Sequence, residues 1–545
     1  MISQKSGLLA AAFALCVAAP VLAEPAKDFD AAWTSFFGPE HFVYLAVKNP
    51  NIDGPLMHRP LDTDPNSMPG AAKAGNPAGF LREFVEEAKK EKIIEANLTE
   101  LAPDGFAGGM SAGVDPKKEP AALLVIPRND KLAKFHDWIV TQYIKKNGAD
   151  SIKKVTIEGA SGEKFLKSGK AQPVIVISDK ALLLSNQEEE IAHALKRVKD
   201  GKDTLATAKY YKRSRSRVGA DASMFVSIDP LPLLGMLEQN ESSAPEQAKK
   251  LADARKNFQA IDGLLMQLAA EKSASHVDFT VLLDPAAPQY KNFKLLSGTS
   301  GVKAAGLVGV AAPALLSVIR PTDVAAGVAP EHRAQLEQQL QSLKGMLQVQ
   351  TGLDFEKDVA PWWGSEIALI LHVPDGGAPP EGALLFEAKE PKAAQEAVDK
   401  VVRHVGVSQN RTFSDRKIGD ATIKTAEPPQ GGAPSPVNPT LGLAGGYVFL
   451  ATGPNVVTAS LESKTKLTSA PGYAKLAASL PGDKLGLVLY LKTDVLMKAQ
   501  GPTPPAPGTP GAQVRKLADE VDSVVVGLGW PDEESVRLTV LFNGR

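Results

Sequence analysis

The feature that most constrains the fold of this chain is an internal repeat with a period of about 260 residues. In each half an apolar segment, a turn and an amphipathic segment follow one another: Ala121 to Val140 matches Gly382 to Val402. Later segments match in the same order, namely Gln172 to Leu195 with Pro439 to Leu461, and Gly219 to Asp229 with Pro481 to Lys492. Each half closes with a hairpin pattern, Ile261 to Leu283 and Val521 to Phe542. The chain is therefore predicted to contain two diverged copies of one unit, over residues 24–290 and 291–545.

Within a copy, two periodicities alternate. Apolar residues at every second position in Val536 to Phe542 predict a strand with one buried face. The helix predicted after Pro391 has an apolar stripe, made of Ala394, Ala397, Val398, Val401, Val402 and Val405. Strands adjacent in sequence with helices between them predict an α+β unit, an antiparallel sheet with helices packed on one face. Segments rich in proline and glycine, at 374–382, 428–439 and 501–511, are predicted loops.

Residues 1–23 are typical of a secretory signal peptide. They contain Lys5, an apolar run from Gly7 to Val17, and small residues before Glu24. The single cysteine, Cys16, lies inside this segment, so the mature chain is predicted to lack disulfides and cysteine nucleophiles. We therefore expect an exported protein, periplasmic or extracellular. No transmembrane span is expected, because the apolar run Ala304 to Ile319 is shorter than the ~20 residues that a bilayer requires.

Charge and histidine spacing exclude several classes of function. The chain has 61 Lys and Arg against 62 Asp and Glu, a net charge of −1, which gives no field to attract nucleic acid. No cofactor or metal site is expected, because the eight histidines never approach metal-ligand spacing with one another. Glu190 and His193 form one Glu-x-x-His pair, which we interpret as a solvated helix start. The candidate partners are an envelope lipid, glycan or protein.

Ser111 carries the only catalytic hypothesis that we retain. It lies in Gly109-Met110-Ser111-Ala112-Gly113, which matches the G-x-S-x-G nucleophile elbow. That elbow needs a strand before the serine and a helix directly after it, whereas a proline-containing turn follows here. The segment is therefore predicted to be a strand of small residues and the protein to be non-catalytic, with a serine hydrolase as an alternative.

A basic run suggests an anion-binding site. Its five cations, interleaved with two tyrosines, are Lys209, Lys212, Arg213, Arg215 and Arg217. In an exported protein such a run could hold an anionic envelope polymer or lipid. The alternative is a basic helix end that is exposed to water.

Two adjacent tryptophans, Trp362 and Trp363, suggest a ligand site. Asp354 is predicted to cap a short helical turn, after which Pro361 and Gly364 lead into the strand Ile367 to Leu371. The rings are predicted to lie on opposite sides of this junction. They could form a sugar or lipid platform, or they could fill space in the core.

The second half resembles a known family. The segments GALLFEAKEPKAAQEAVDKVV, YVFLATGPNVV and SAPGYAKLAASLPGDKLGLVLYLKTD look like an exported bacterial family, domain of unknown function 3352, most clearly over Leu316 to Met497. The resemblance supports the architecture and implies no reaction and no site residues. The sequence thus predicts an exported, non-catalytic envelope protein that binds a hydrophobic or anionic ligand, or that has a structural or assembly role in the envelope.

Overall fold

The structure is a computed structural model of the chain. It describes residues 30–48, 101–111, 120–167, 170–241, 258–271, 274–290, 302–310, 314–319, 330–373, 379–427, 438–479, 485–494 and 519–545, with a few positions near 87–91, 255–256, 293, 312 and 515. The predicted signal peptide and most of the predicted proline- and glycine-rich loops lie outside these residues. Contacts divide the chain into two compact units, unit 1 (1–287) and unit 2 (288–545).

Unit 1 contains an antiparallel sheet. Its described strands are β1 His41–Val47, β2 Phe106–Ser111, β3 Ala121–Pro127, β4 Ile152–Ile157, β5 Ala160–Lys167, β6 Lys170–Ile177, β7 Ala181–Ser185, β8 Met224–Ile228, β9 Ile261–Glu271 and β10 Ala274–Leu283. They are ordered β4-β5-β6-β7-β3-β2-β1-β8-β9-β10, and every pair of neighbours is antiparallel.

Unit 2 contains an antiparallel sheet of the same kind. Its described strands are β11 Ala314–Ile319, β12 Trp363–His372, β13 Glu381–Ala388, β14 Phe413–Ile418, β15 Ala421–Ala426, β16 Thr440–Ala444, β17 Tyr447–Ala451, β18 Leu485–Lys492, β19 Val521–Asp532 and β20 Ser535–Gly544. They are ordered β14-β15-β16-β17-β13-β12-β11-β18-β19-β20. Each strand of unit 2 therefore has the same neighbours as its counterpart in unit 1.

Helices pack on both faces of each sheet, so the prediction that they pack on one face is wrong. The described α-helices are α1 Ala31–Thr34, α2 Asp130–Asn147, α3 Glu188–Asp200, α4 Lys209–Arg215, α5 Pro230–Glu241, α6 Pro330–Thr351, α7 Pro391–Ser408, α8 Pro454–Leu461 and α9 Pro471–Ser479. In unit 1, α2 shares a core with Leu45 on one face of β1, whereas α3 and α4 share a core with Tyr44 on the other. In unit 2, α8 and α9 cover one face and α7 covers part of the other. Helices α2, α3 and α7 each have an apolar stripe that is buried in this way.

The helix boundaries match the local signals in the sequence, except at one cap. The stripe of α7 is buried at Ala394, Ala397, Val398 and Val401, and Pro391 lies in its first turn, as predicted. Gly201 ends α3 in the left-handed conformation with φ of 64°, which glycine favours. The N-cap of α3 is Gln187, although the preceding Ser185 and Asn186 are of the residue types that favour this position. Asn186 is engaged elsewhere, because its side chain bonds the backbone of Pro120 and Ala122 beside β3.

The buried face of β20 is the opposite of the one predicted. Thr539 and Leu541 are buried, whereas Val536, Val540 and their apolar neighbours on the same side are half-buried. Helix α9 packs against β19 and β20. It approaches closely, since Leu476 lies where a Cβ on Gly527 would be. Gly527 and Thr539 therefore face the helix together with Leu541, whereas Val536, Leu538 and Val540 face away from it.

Candidate functional site

Trp362 lies in the core of unit 2. Its side chain is 4% exposed, and its indole Nε1 donates a hydrogen bond to the backbone oxygen of Asp358 at 2.5 Å. Asp354 caps the π-helical turn Phe355–Val359, as predicted, by accepting from the amides of Glu356 and Lys357. The turn holds the Trp362 ring against helix α7. Trp362 therefore presents little surface to a ligand and fills space in the core.

Trp363 is half-buried at the start of β12. Its ring meets those of Phe355 and Phe386 edge to face, with centroids 5.8 and 6.0 Å away. This is a favourable aromatic cluster packed against the core around α7. The two tryptophans do not form one flat platform, and only Trp363 keeps partial exposure.

The basic run forms α4, where its charges are largely matched within unit 1. Lys209 pairs with Asp262 at 2.8 Å, Arg213 bonds the other oxygen of that carboxylate, and Arg215 pairs with Asp30 at 2.9 Å. Both interleaved tyrosines are buried rather than available for stacking. Three of the five cations, Lys209, Arg213 and Arg215, are therefore engaged in internal ion pairs, which weakens the anion-binding hypothesis. Lys212 is exposed and Arg217 is half-buried.

Ser111 ends strand β2 and is 1% exposed. Its backbone pairs with Ala121 across an antiparallel ladder, and its hydroxyl donates to Glu190 Oε2 at 3.0 Å. The contact is with a carboxylate, whereas a nucleophile elbow aims the serine at an imidazole. Residues 112–119, which follow the serine, lie outside the described residues.

Glu190 is buried, so the interpretation of its helix start as solvated is wrong. It is 5% exposed, and it bonds Ser111 while lying 3.4 Å from both His41 Nε2 and Arg197 Nη1. Burial and the charge of Arg197 lower the pKa of His41 to about 4, although the Glu40 carboxylate acts in the opposite direction. His193, the histidine of the motif, is exposed. The spacing of Glu190, Ala194 and Arg197 on one helical stripe was the available signal for an inward-facing glutamate.

Unit 2 also buries a carboxylate, Glu366, at 1% exposure. It accepts hydrogen bonds from the amides of Lys303 and Ala304 at 2.9 Å, from the Tyr447 hydroxyl at 2.6 Å, and from the Ser317 hydroxyl. Burial, together with this carboxylate, raises the pKa of Tyr447. Four donors satisfy one carboxylate, so the group ties the turn at residues 303–304 to the sheet and has no acceptor capacity left for a ligand.

The most unusual surface of unit 2 is the face of its sheet that α8 and α9 do not cover. We call it the open face and define it by two rows of side chains that run across the strands in register. The first row consists of Leu450, Leu384, Leu369, Leu316, Leu489, Val526 and Val540. The second row consists of Phe386, Ile367, Val318, Leu487, Leu528 and Leu538. Both rows contain only aliphatic residues and one phenylalanine.

The centre of the open face is exposed. Leu369, Leu384 and Leu316 are 46%, 41% and 37% exposed, and the other members of both rows are exposed or half-buried. One end of the first row, at Leu450, packs against the core around α7. Isolated exposed leucines are ordinary on protein surfaces, whereas contiguous apolar patches are not. The open face is therefore the strongest candidate binding surface in the described part of the chain.

Comparison with known proteins supports the resemblance found in the sequence. Residues 288–540 match a family described as a protein of unknown function, DUF3352. No curated protein matches the chain. The described residues include no helix that is both long enough and apolar enough to cross a bilayer.

Solved structures give only distant similarities. Crystal form I of TP0453 is 10% identical, covers 48% of this chain and 83% of its own chain, and has a TM-score of 0.24. Crystal form III of the same protein is 10% identical, covers 52% and 90%, and has a TM-score of 0.25. TM-scores this low transfer neither a fold nor a function.

Proposed function

We propose that this protein is a non-catalytic carrier of the cell envelope that binds aliphatic chains on the open face of unit 2. The observation that carries the proposal is the pair of contiguous apolar rows, with Leu369, Leu384 and Leu316 exposed at their centre. The placement in the cell envelope rests on the predicted signal peptide and is an expectation from the sequence.

The chemistry of the open face favours a hydrocarbon ligand. Its rows offer no charge and no side-chain hydrogen-bonding group, so a glycan or a charged peptide would lose hydration there without compensation. A peptide strand would add to a sheet edge, where backbone groups are unpaired, and not to a sheet face. Acyl chains need only apolar area, which contributes about 25 cal/mol per Å² removed from water. An anionic ligand has weaker support, because internal carboxylates pair three of the cations of α4.

We further propose that the two units are diverged copies of one ancestral unit. The support is that ten strands recur in the same order with the same antiparallel neighbours, and that the sequence matches recur in the same order. Equivalent positions can then be compared directly: Leu316 of β11 corresponds to Leu45 of β1, and Leu369 of β12 to Gly108 of β2.

The test is binding of a fluorescent fatty acid, cis-parinaric acid, to the mature protein. We expect Leu369→Lys with Leu384→Lys to weaken binding at least tenfold, because a buried ammonium would replace apolar contacts. The matched control is Val407→Lys, an apolar residue of α7 that is 86% exposed and lies outside the rows. Circular dichroism checks that all variants fold.

Equal affinity in the double variant and the wild type would overturn the proposal. So would a stable dimer that the double variant converts to monomers, measured by light scattering, because the open face would then be an interface between copies. Turnover of model esters that is lost in Ser111→Ala would overturn the non-catalytic part.

A further inference from the structure

A second cluster with ligand chemistry lies in unit 1, far in sequence from the open face. Glu40, His41 and Glu190 each offer one ligand atom, and these atoms all lie within 4.8 Å of one another. His41 is fully buried and Glu190 is 5% exposed, whereas the side chain of Glu40 is 47% exposed. The cluster therefore has a buried base and one ligand at the surface, where an ion could enter.

The imidazole of His41 gives an independent reason to look for an ion. Its Nε2 is buried and has no hydrogen-bond partner of good geometry, although it lies 3.4 Å from Glu190 Oε1. Buried polar atoms are nearly always satisfied, so an exception requires an explanation. Two ligands that each lie about 2.1 Å from a tetrahedral zinc ion are about 3.4 Å apart. The spacing of these two atoms therefore suits a shared ion.

Neighbouring groups hold both buried ligands in orientations that suit a metal. His41 Nδ1 lies 3.2 Å from the Gly38 carbonyl, to which it can donate a proton, and this leaves the Nε2 lone pair free. Without an ion, the Gly38 amide can instead donate to Nδ1 at 3.1 Å, and Nε2 then carries the proton. The Ser111 hydroxyl occupies Glu190 Oε2, so Oε1 is the oxygen that faces the imidazole.

Arg197 places a positive charge beside both carboxylates of this cluster. Its Nη1 lies 3.4 Å from Glu190 Oε1 and its Nη2 bonds Glu40. Two carboxylates, one guanidinium and a neutral imidazole sum to a charge of −1, so one negative charge remains unmatched. The guanidinium would nevertheless repel a divalent ion and lower its affinity.

We propose that Glu40, His41 and Glu190 bind a zinc ion and thereby join β1 to α3. Water completes the coordination of the ion, and the positive charge of Arg197 lowers its affinity. One imidazole with two carboxylates suits Zn²⁺, whereas Ca²⁺ and Mg²⁺ prefer six or more oxygen ligands. The site is independent of the open face, so either proposal can fail without the other.

The test is calorimetric titration of Zn²⁺ into the full mature protein after treatment with EDTA and dialysis. We expect one ion per chain, and we expect Co²⁺ in its place to give the strong visible absorption of a tetrahedral site. Glu40→Gln, at a half-exposed position that should fold normally, is expected to weaken Zn²⁺ binding at least tenfold. His41→Gln is expected to abolish it, and Arg197→Gln to tighten it.

The matched control is His193→Gln, which removes an exposed imidazole from the same helix as Glu190 and should leave the affinity unchanged. Three results would overturn the site: no zinc binding at micromolar concentrations, binding that Glu40→Gln leaves intact, or binding that His193→Gln removes. The last would mean that zinc binds adventitiously at the helix surface.

Discussion

The sheets of the two units share their strand order but differ in what covers one equivalent row of side chains. In unit 1 this row consists of Leu184, Leu124, Gly108, Leu45, Val226, Met266 and Phe279. Leu45 is 4% exposed and shares a core with Phe135 and Ile139 of α2. Its counterpart Leu316, in the first row of the open face, is 37% exposed.

This difference in burial coincides with a difference in the segment that connects the first two strands of each unit. In unit 1, the described parts of that connection include Ala88 and Leu101, which join the core over this row. In unit 2 the equivalent connection contains α6, which packs against α7 and the π-helical turn, and Leu343 and Val349 of α6 are exposed. A change in one connection can therefore turn a buried sheet face into an accessible one while strand pairing stays the same.

The largest expected effect separates the two counterparts Leu45 and Leu316. Leu45→Ala should lower the free energy of unfolding by about 2–5 kcal/mol, because it opens a cavity in a packed core. Leu316→Ala should cost less than about 1 kcal/mol, because its side chain is already partly in water. Denaturant unfolding of both variants measures the contrast, and similar losses would mean that the open face is covered in solution.

The next largest loss of stability is expected at Glu366, the buried carboxylate of unit 2. Glu366→Gln should destabilise the protein by about 3 kcal/mol, because it removes a charge that accepts from four donors and places an amide nitrogen where one oxygen accepts from two of them. Glu356→Gln, at an exposed glutamate of the same unit, is the control and should cost less than about 0.5 kcal/mol. A Glu366→Gln variant as stable as this control would contradict the role assigned to Glu366.

High pH should weaken unit 2 through Tyr490, whose pKa is raised to about 12, first by burial and then by the Asp522 charge. A raised pKa favours the protonated phenol in the folded state, so this stability is present below pH 10 and is lost as the pH rises through about 12. The stability lost is at most about 2.7 kcal/mol, since one pKa unit corresponds to about 1.36 kcal/mol. The free energy of unfolding, measured by denaturant unfolding between pH 10 and 12, should therefore fall less with pH in Tyr490→Phe than in the wild type. An equal pH dependence in the two proteins would refute the assignment.

The smallest effect tests the row of unit 1 at Gly108, the counterpart of Leu369. A Cβ there would meet its nearest neighbours at 3.7–4.0 Å, which is ordinary contact. Gly108→Ala should therefore stabilise the protein by about 0.4–1 kcal/mol, mainly by restricting the unfolded chain. Gly105→Ala should do the reverse, because its φ is +88° and the added Cβ would strike the Val47 oxygen. Thermal unfolding distinguishes the two variants, and a destabilised Gly108→Ala would show that this part of the row is more tightly packed.

The sequence predicts the secondary structure more accurately than it predicts the candidate sites. The stripe of α7, the stop at Gly201 and both closing hairpins follow from local spacing, which a helix or strand imposes on its own residues. Local spacing could not reveal the ion pairs of the basic run, because its counterions are distant in sequence: Asp262 is 49 residues from Arg213, and Asp30 is 185 residues from Arg215. The burial of Glu190 was not predicted, because acidic residues in the first turn of a helix, here Glu188, Glu189 and Glu190, are usually exposed to water.

The sequence by itself determined where strands, helices and turns form, because their periodicities depend on neighbouring residues. Only the tertiary structure decided that Leu45 is core and Leu316 is surface, although both are aliphatic residues at equivalent places in equivalent strands. An alternating strand presents apolar side chains in the same way whether a partner layer covers them or not. Burial depends on segments that fold back from far along the chain.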